Sequence, residues 1–169
     1  MLRMTEEEYA AYLKRTQKQP NMTISSKDND SDKKHSKKTK YRNHKVYVYS
    51  DGYASIEKNP DKEIIEKFDS VKEYQRCIAL RLREKAGEIS NLDTQTTLMI
   101  QPAFTSKDGK KHRAITYRAD FTYIENGEQI VEDVKGYSKS TGKFLTTEAF
   151  RLKWKLLQAR YPDYTFKLF

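Results

Sequence analysis

The sequence predicts a domain of the α/β (α+β) class, a mixed central sheet flanked by helices, preceded by an N-terminal arm. Three observations carry that expectation. Asn126-Gly127 stands between two alternating strand patterns, and a tight primed turn needs φ > 0 at both central residues, which makes this dipeptide a strong hairpin signal. Two segments, one opening at Ser70 and one running from Thr147 to Tyr161, repeat apolar residues at steps of three and four. From Asn21 to Thr39 the chain is mostly Ser, Asp, Asn and Lys, too poor in apolar side chains to offset the entropy of ordering.

The arm, residues 1–39, begins with TEEEYAAYLKRTQKQ, a short helical pattern with a narrow apolar face of Tyr9, Tyr12 and Leu13, ended by Pro20. A mobile linker follows. From Lys33 to Lys45 the chain has basic residues and no acidic one, so Lys33, Lys34, Lys37, Lys38, Lys40 and Arg42 are candidate phosphate contacts; a solubilising charge run is the other reading. The domain proper spans residues 40–169. Strands are predicted at Val46 to Tyr49 and Glu63 to Phe68, flanking turns at Asp51-Gly52 and Asn59-Pro60-Asp61. Ser70 and Glu73 form the S-x-x-E box that opens a helix, and Val71, Tyr74, Ile78 and Leu82 give it an apolar face until Gly87 ends it. Gln95 to Phe104 reads as a strand, Lys107 to Lys110 as a loop, and Ile115 to Glu125 as one continuous strand entering the hairpin. Gly136 to Lys143 is a polar loop. The last helix, stopped by Pro162, has two apolar stripes, Ala149, Leu152, Leu156, Ala159 and Phe150, Trp154, Leu157, Tyr161, implying burial on two sides; Tyr164, Phe166 and Leu168 then alternate in a final strand. Trp154, at helical spacing, is a core residue rather than a base-stacking platform.

The hairpin is where chemistry enters. A two-residue loop at Asn126-Gly127 pairs Glu125 with Glu128, and counting back along both strands sets Asp120 opposite Asp133. Period 2 puts Lys135 on the face of Asp133, opposite Arg118, and sends Tyr117, Ala119, Phe121, Tyr123, Ile130 and Val134 into the core. Opposed like charges cost about 1 kcal/mol in water and more when half buried. A bound cation reverses that sign. Mg²⁺ takes a few carboxylates, keeps several waters and accepts phosphate oxygens, while a lysine as a point charge can orient water or neutralise a phosphoryl transition state; the set suits metal-assisted phosphodiester hydrolysis. Glu73 has a sufficient role as a helix cap and a second possible one in the metal shell.

Asp120 with Asp133-Val134-Lys135 resembles the signature of the PD-(D/E)XK nuclease superfamily, with Ala119-Asp120 in place of Pro-Asp. Together with FDSVKEYQRCIALRLREKAGEISNL, LMIQPAF and LKWKLLQARYPDYTFKLF, the stretch from about Lys40 to Phe169 is similar to a family of small phage and prophage PD-(D/E)XK proteins, related in pattern to the phage endonuclease I Holliday junction resolvases. That resemblance implies a restriction-endonuclease-like core. It also implies Glu73, Asp120, Asp133 and Lys135 as the catalytic set, Asp120, Asp133 and Glu73 as metal ligands for Mg²⁺ or Mn²⁺, and branched or duplex DNA as substrate in a bacterial host cytoplasm. The arm has no counterpart in the pattern, and Tyr49 to Glu66 is longer than the hairpin usually found there.

The formal charge of +9 agrees with a polyanionic partner. Lys110, Lys111, Arg113 and Arg118 precede the second aspartate, and Lys139, Lys143, Arg151 and Lys155 follow it, so both flanks of the carboxylates are positive. No helix-turn-helix, zinc-finger or RNA-recognition pattern is present, which favours recognition by shape. His35, His44 and His112 lack metal-ligand spacing. The single cysteine, Cys77, excludes an intrachain disulfide and a cysteine zinc site, and no apolar run reaches membrane-spanning length; an intracellular, reducing compartment is expected. The sequence therefore predicts a metal-dependent endodeoxyribonuclease acting on branched DNA as a homodimer. Two other readings stay open: a non-catalytic basic DNA-binding protein of phage recombination or replication, and a nuclease acting on linear DNA or RNA.

Overall fold

The computed structural model describes residues 43–169, all within one compact unit, Thr39–Phe169. In order these residues form β1 (Val46–Tyr49), β2 (Ala54–Ser55), β3 (Ile64–Phe68), α1 (Val71–Lys85), β4 (Ile89–Thr94), β5 (Thr97–Gln101), β6 (Phe104–Thr105) and β7 (Lys111–His112). They continue with β8 (Ile115–Arg118), β9 (Phe121–Glu125), β10 (Glu128–Asp133), β11 (Tyr137–Ser138), β12 (Lys143–Phe144), α2 (Glu148–Arg160) and β13 (Thr165–Leu168). The predicted short arm helix, the mobile linker and the cations Lys33, Lys34, Lys37, Lys38, Lys40 and Arg42 lie outside the described residues.

The principal sheet runs β13-β10-β9-β4, with β13 parallel to β10 and the other pairs antiparallel, so the mixed sheet is present. Its centre is the β9–β10 hairpin. Asn126 (φ 52°) and Gly127 (φ 83°) both occupy the left-handed region that a primed turn requires, and the register is the predicted one, Glu125↔Glu128 through Phe121↔Glu132. Side chains of one face, among them Phe121, Tyr123 and Ile130, form a core with Cys77 and Leu80 of α1 and with Val46, Val48 and Phe68. On the other face Val131 meets Leu157 of α2, with Phe150, Trp154 and Phe166 around it. Fully burying each such side chain stabilises by about 1.5–3 kcal/mol. The result is a helix–sheet–helix sandwich, with the small sheet β2-β1-β3 closing the α1 side.

Several predicted elements change. The continuous strand Ile115 to Glu125 is broken at Ala119-Asp120: β8 pairs with β5, while β9 pairs with β4 and β10. The break reverses the alternation, so Tyr117 and Ala119 are buried on the α2 side, opposite Phe121 and Tyr123, and not with them as strict period 2 requires. The predicted strand Gln95 to Phe104 begins only at Thr97, because Gln95 takes φ 56° in a turn. Ahead of it lies β4, which the polar sequence ISNLDT concealed and which bulges at Asn91 (φ 54°). Gly136 to Lys143 holds the small hairpin β11–β12 instead of a plain loop. In α2, Thr147 caps the helix and the Phe150, Trp154, Leu157, Tyr161 stripe is the one that packs. The other stripe does not: Leu152 is 62% and Leu156 40% exposed, and Ala149 and Ala159 are exposed as well. Among the described residues no helix is long and apolar enough to cross a membrane.

Candidate active site

The candidate centre forms where β10 ends and the chain has just bent between β8 and β9. The ladder closes at Phe121↔Glu132, one pair short of Asp120 and Asp133. Asp120 therefore does not continue the ladder; its side-chain Oδ2 takes the N–H of Val134 at 2.7 Å, and its backbone carbonyl takes the N–H of Gln95 at 2.8 Å. Among the described residues Oδ1 has no hydrogen-bond partner. Burial, then the charge of Asp133, raises Asp120 to about 7, with a smaller upward contribution from Glu73 and an opposing one from Lys135. Asp133 is only 2% exposed and is held on both oxygens, one by the Tyr117 hydroxyl and the other by the Lys135 ammonium. Lys135 in turn lies 4.5 Å from the Phe150 ring centre. Tyr117 is pushed far above the ordinary phenol range, by burial first and by Asp133 second, so it stays a proton donor to that carboxylate.

Glu73 sits in the first turn of α1 and does what the capping box predicts, with one difference in partner. The Ser70 hydroxyl accepts the Glu73 N–H at 3.1 Å, while Glu73 Oε2 accepts the N–H of Asp69 at 3.0 Å, not that of Ser70, and Oε1 accepts the Ser70 hydroxyl at 3.2 Å. Desolvation raises its pKa, and the charges of Asp69 and Asp133 add to that. Glu73 and Lys135 line the same open cavity of about 260 Å³, with His44, Ser70, Lys72 and Val134. Lys72 donates to the carbonyls of Lys135 and Phe169, both at 2.8 Å, tying the start of α1 to the strand end that carries Lys135.

Two supporting groups escaped the sequence reading. Glu132, 1% exposed, faces α1 and receives Arg76 bidentately at 2.6 and 2.7 Å and the Tyr123 hydroxyl at 2.8 Å. The available signal was its place: alternation put an acid between Ile130 and Val134 on the core face, where only a paired charge is tolerated. The sequence places Tyr117 in the core, where it lies, but the bond from its hydroxyl to Asp133 depends on the bend at Asp120.

The predicted polyanion contacts divide among several elements. Lys110, Lys111 and Arg113 lie on and beside the turn joining β6 to β7, and Arg118 closes β8 with its guanidinium on the Gln95 side chain. Lys139 and Lys143 belong to the β11–β12 hairpin, and Arg151 and Lys155 to exposed positions of α2, Arg151 lying 3.9 Å from Glu148. Lys45 is paired with Asp69 at 3.7 Å.

The donor set suits a hard cation of low protein-ligand demand. Among the described residues no three His, Cys, Asp or Glu side chains form a ready-made cage. Asp120 beside Asp133, with Glu73 near enough for its charge to raise Asp120, fits an ion such as Mg²⁺ that keeps most of its own waters; neither aspartate lines the cavity that Glu73 and Lys135 share. The chain matches none of the curated proteins. A family model matches residues 38–168, nearly the whole described unit, and on that ground the chain belongs to the family described as protein of unknown function, DUF1064.

Proposed function

We propose that this protein is a metal-dependent endodeoxyribonuclease with a PD-(D/E)XK core that hydrolyses DNA phosphodiesters, most effectively in branched DNA. The observation that carries the proposal is half-buried Asp120 beside buried Asp133 with Lys135 attached: two acids are kept together so that the pKa of Asp120 is raised to about 7, an arrangement unfavourable to the fold alone and favourable to a cation. Asp120 and Asp133 hold Mg²⁺ or Mn²⁺, with Glu73 completing the shell directly or through water. When bound, the ion supplies Lewis-acid activation of the scissile phosphate and of the attacking water. The protein's own groups do the rest. Tyr117 and Val134 N–H fix the two carboxylates, and Lys135 stands where it can orient the water or offset charge that accumulates on the phosphoryl oxygens. Lys110, Lys111, Arg113, Arg118, Lys139, Lys143, Arg151 and Lys155 bind backbone phosphates, with Lys33, Lys34, Lys37, Lys38, Lys40 and Arg42 as a further tether.

The exposed Leu152/Leu156 face of α2 supports a homodimer, which is also what two symmetric nicks across a junction require. The test is purified protein incubated with four-way junction, linear duplex and single strand, in Mg²⁺, Mn²⁺ or EDTA. Metal-dependent paired nicks in the junction are expected. DNA binding without cleavage under every metal condition would replace this reading with a non-catalytic DNA-binding protein.

A further inference from the structure

Residues 97–118 form a two-stranded ribbon in two stages. Its base, β5 paired with β8, is seated on α2: Leu98 and Ile100 join the core there, Lys153 donates to the Thr116 carbonyl at 3.0 Å, and the Tyr161 hydroxyl donates to the Met99 carbonyl at 3.0 Å. Its tip, β6 and β7, buries nothing in the domain. From residue 102 to 116 every residue is exposed except Ser106 and His112, which are half-buried. The tip is nevertheless ordered from within. Phe104 and His112 stack across the strands at 4.5 Å and 10°, and Ser106 N–H bonds the Lys110 carbonyl at 2.9 Å, as Gly109 N–H does that of Ser106. Asp108, the single acid between Thr105 and Ala119, is turned into the loop, accepting from the Ser106 hydroxyl and the Lys110 N–H. Among the described residues Lys107, Lys110, Lys111 and Arg113 are exposed and have no acidic partner, whereas Arg76, Arg81 and Arg83 on α1 are all paired with glutamates.

We propose that this ribbon enters the major groove of B-form duplex DNA and thereby sets a double-stranded DNA arm as the substrate; the inference rests on the nuclease reading above. A preformed, solvent-standing cationic ribbon loses little entropy on binding and meets a polyanion with its charges already free. Width selects the groove. Two strands about 4.8 Å apart plus their side chains fit the roughly 12 Å major groove of B-DNA and not its roughly 6 Å minor groove. The deep, narrow major groove of A-form RNA excludes the same ribbon. The ribbon is also joined to the candidate centre, since Ala119 N–H bonds the Thr96 carbonyl at 2.9 Å and Asp120 follows β8 directly. Asp120 lies nine steps along the chain from Lys111, at most about 30 Å of extended chain, so a duplex held at the tip presents phosphates to the carboxylates within about one helical turn.

The test measures binding in EDTA, where no cutting occurs, to a duplex DNA, a duplex RNA of the same sequence and a single strand, across a salt series. Lys107→Gln/Lys110→Gln/Lys111→Gln is compared with Lys58→Gln/Lys67→Gln/Lys85→Gln, which removes equal charge from elsewhere; thermal melting verifies that both fold. The parent is expected to prefer DNA duplex at least tenfold over RNA duplex and single strand. The ribbon variant is expected to lose most of that affinity, its log–log salt slope falling by about 2 to 3, while the control changes little. Equal binding of RNA and DNA duplexes, or equal losses in the two variants, overturns the ribbon's role. If the ribbon governs binding but the parent cuts nothing in Mg²⁺ or Mn²⁺, the nuclease reading fails and the substrate claim with it, while insertion of the ribbon in the major groove stands as a binding mode.

Discussion

Among single residues, Asp120 is the sharpest case. Its carboxyl is raised from about 3.8 to about 7, so the folded state holds the proton more tightly than the unfolded one. The ionised form therefore opposes folding: the penalty is absent below the unfolded value, grows as pH rises, and is complete above about 7. Asp120→Asn should raise the metal-free thermal midpoint by several degrees at pH 8, with the gain shrinking to nothing as pH falls toward 4, and should abolish cleavage at every pH. Added Mg²⁺ should stabilise the parent and not this variant. A midpoint lowered at pH 8 with cutting retained would assign Asp120 to structure. Glu73 separates differently, because glutamine can still accept the Asp69 N–H and Ser70 hydroxyl bonds. Glu73→Gln should leave the melting temperature within a few degrees while cleavage falls by orders of magnitude, partly restored at higher Mg²⁺. Ser70→Ala is the converse control, losing about 1 kcal/mol of stability with cleavage by the folded protein largely kept. The Asn126-Gly127 turn fixes the counting that brings Asp120 near Asp133, although the ladder ends one pair before them, and the S-x-x-E spacing marks Glu73 as a helix cap. The Tyr117 contact was not legible, since it exists only through a bend that no local residue pattern announces.

Between elements, the decisive link is the Arg76–Glu132 pair. Arg76 lies one helical turn after Glu73 on α1, and Glu132 immediately precedes Asp133 on β10, so one bidentate pair fixes the helix bearing one candidate ligand against the strand bearing another. Arg76→Met leaves Glu132 buried with only Tyr123 as partner and should cost about 3–5 kcal/mol. Arg76→Met/Glu132→Gln removes the stranded charge and should recover much of that, measured by denaturant unfolding. If the pair positions the site, the double variant should melt near the parent yet cut more slowly, with a raised Mg²⁺ requirement. Equal stability losses in the single and double variants would mean the pair is uncoupled. Both helices and the hairpin were readable from caps, periods and the turn. Strand β4 was hidden because its pairing to β9 is tertiary: ISNLDT offers two apolar residues packed on the core, Ile89 and Leu92, set three apart by a bulge in place of alternation.

Across the whole molecule, the net positive charge was readable from composition, but its division was not. The arginines of α1 are consumed by glutamates, whereas the cations of the ribbon tip and the β11–β12 hairpin face solvent, an outcome decided by which acids the fold brings near. The same holds for α2, whose two apolar stripes were equivalent in sequence until the sheet took one of them. The stripe left over, with Leu152 and Leu156 one turn apart and Ala149 and Ala159 extending it, is small-sided and continuous, a surface on which a second α2 can lie. Leu152→Glu/Leu156→Glu places two acids on that face without disturbing Leu157 or Trp154 beneath it. The variant should sediment as a monomer where the parent sediments as a dimer, with little change in far-UV circular dichroism. On a four-way junction it should nick strands singly, so that paired cuts within one binding event disappear while nicking of a linear duplex persists. A parent that is already monomeric at the concentrations where it resolves junctions would remove the dimer from the mechanism, and the two strands would then be cut by successive encounters.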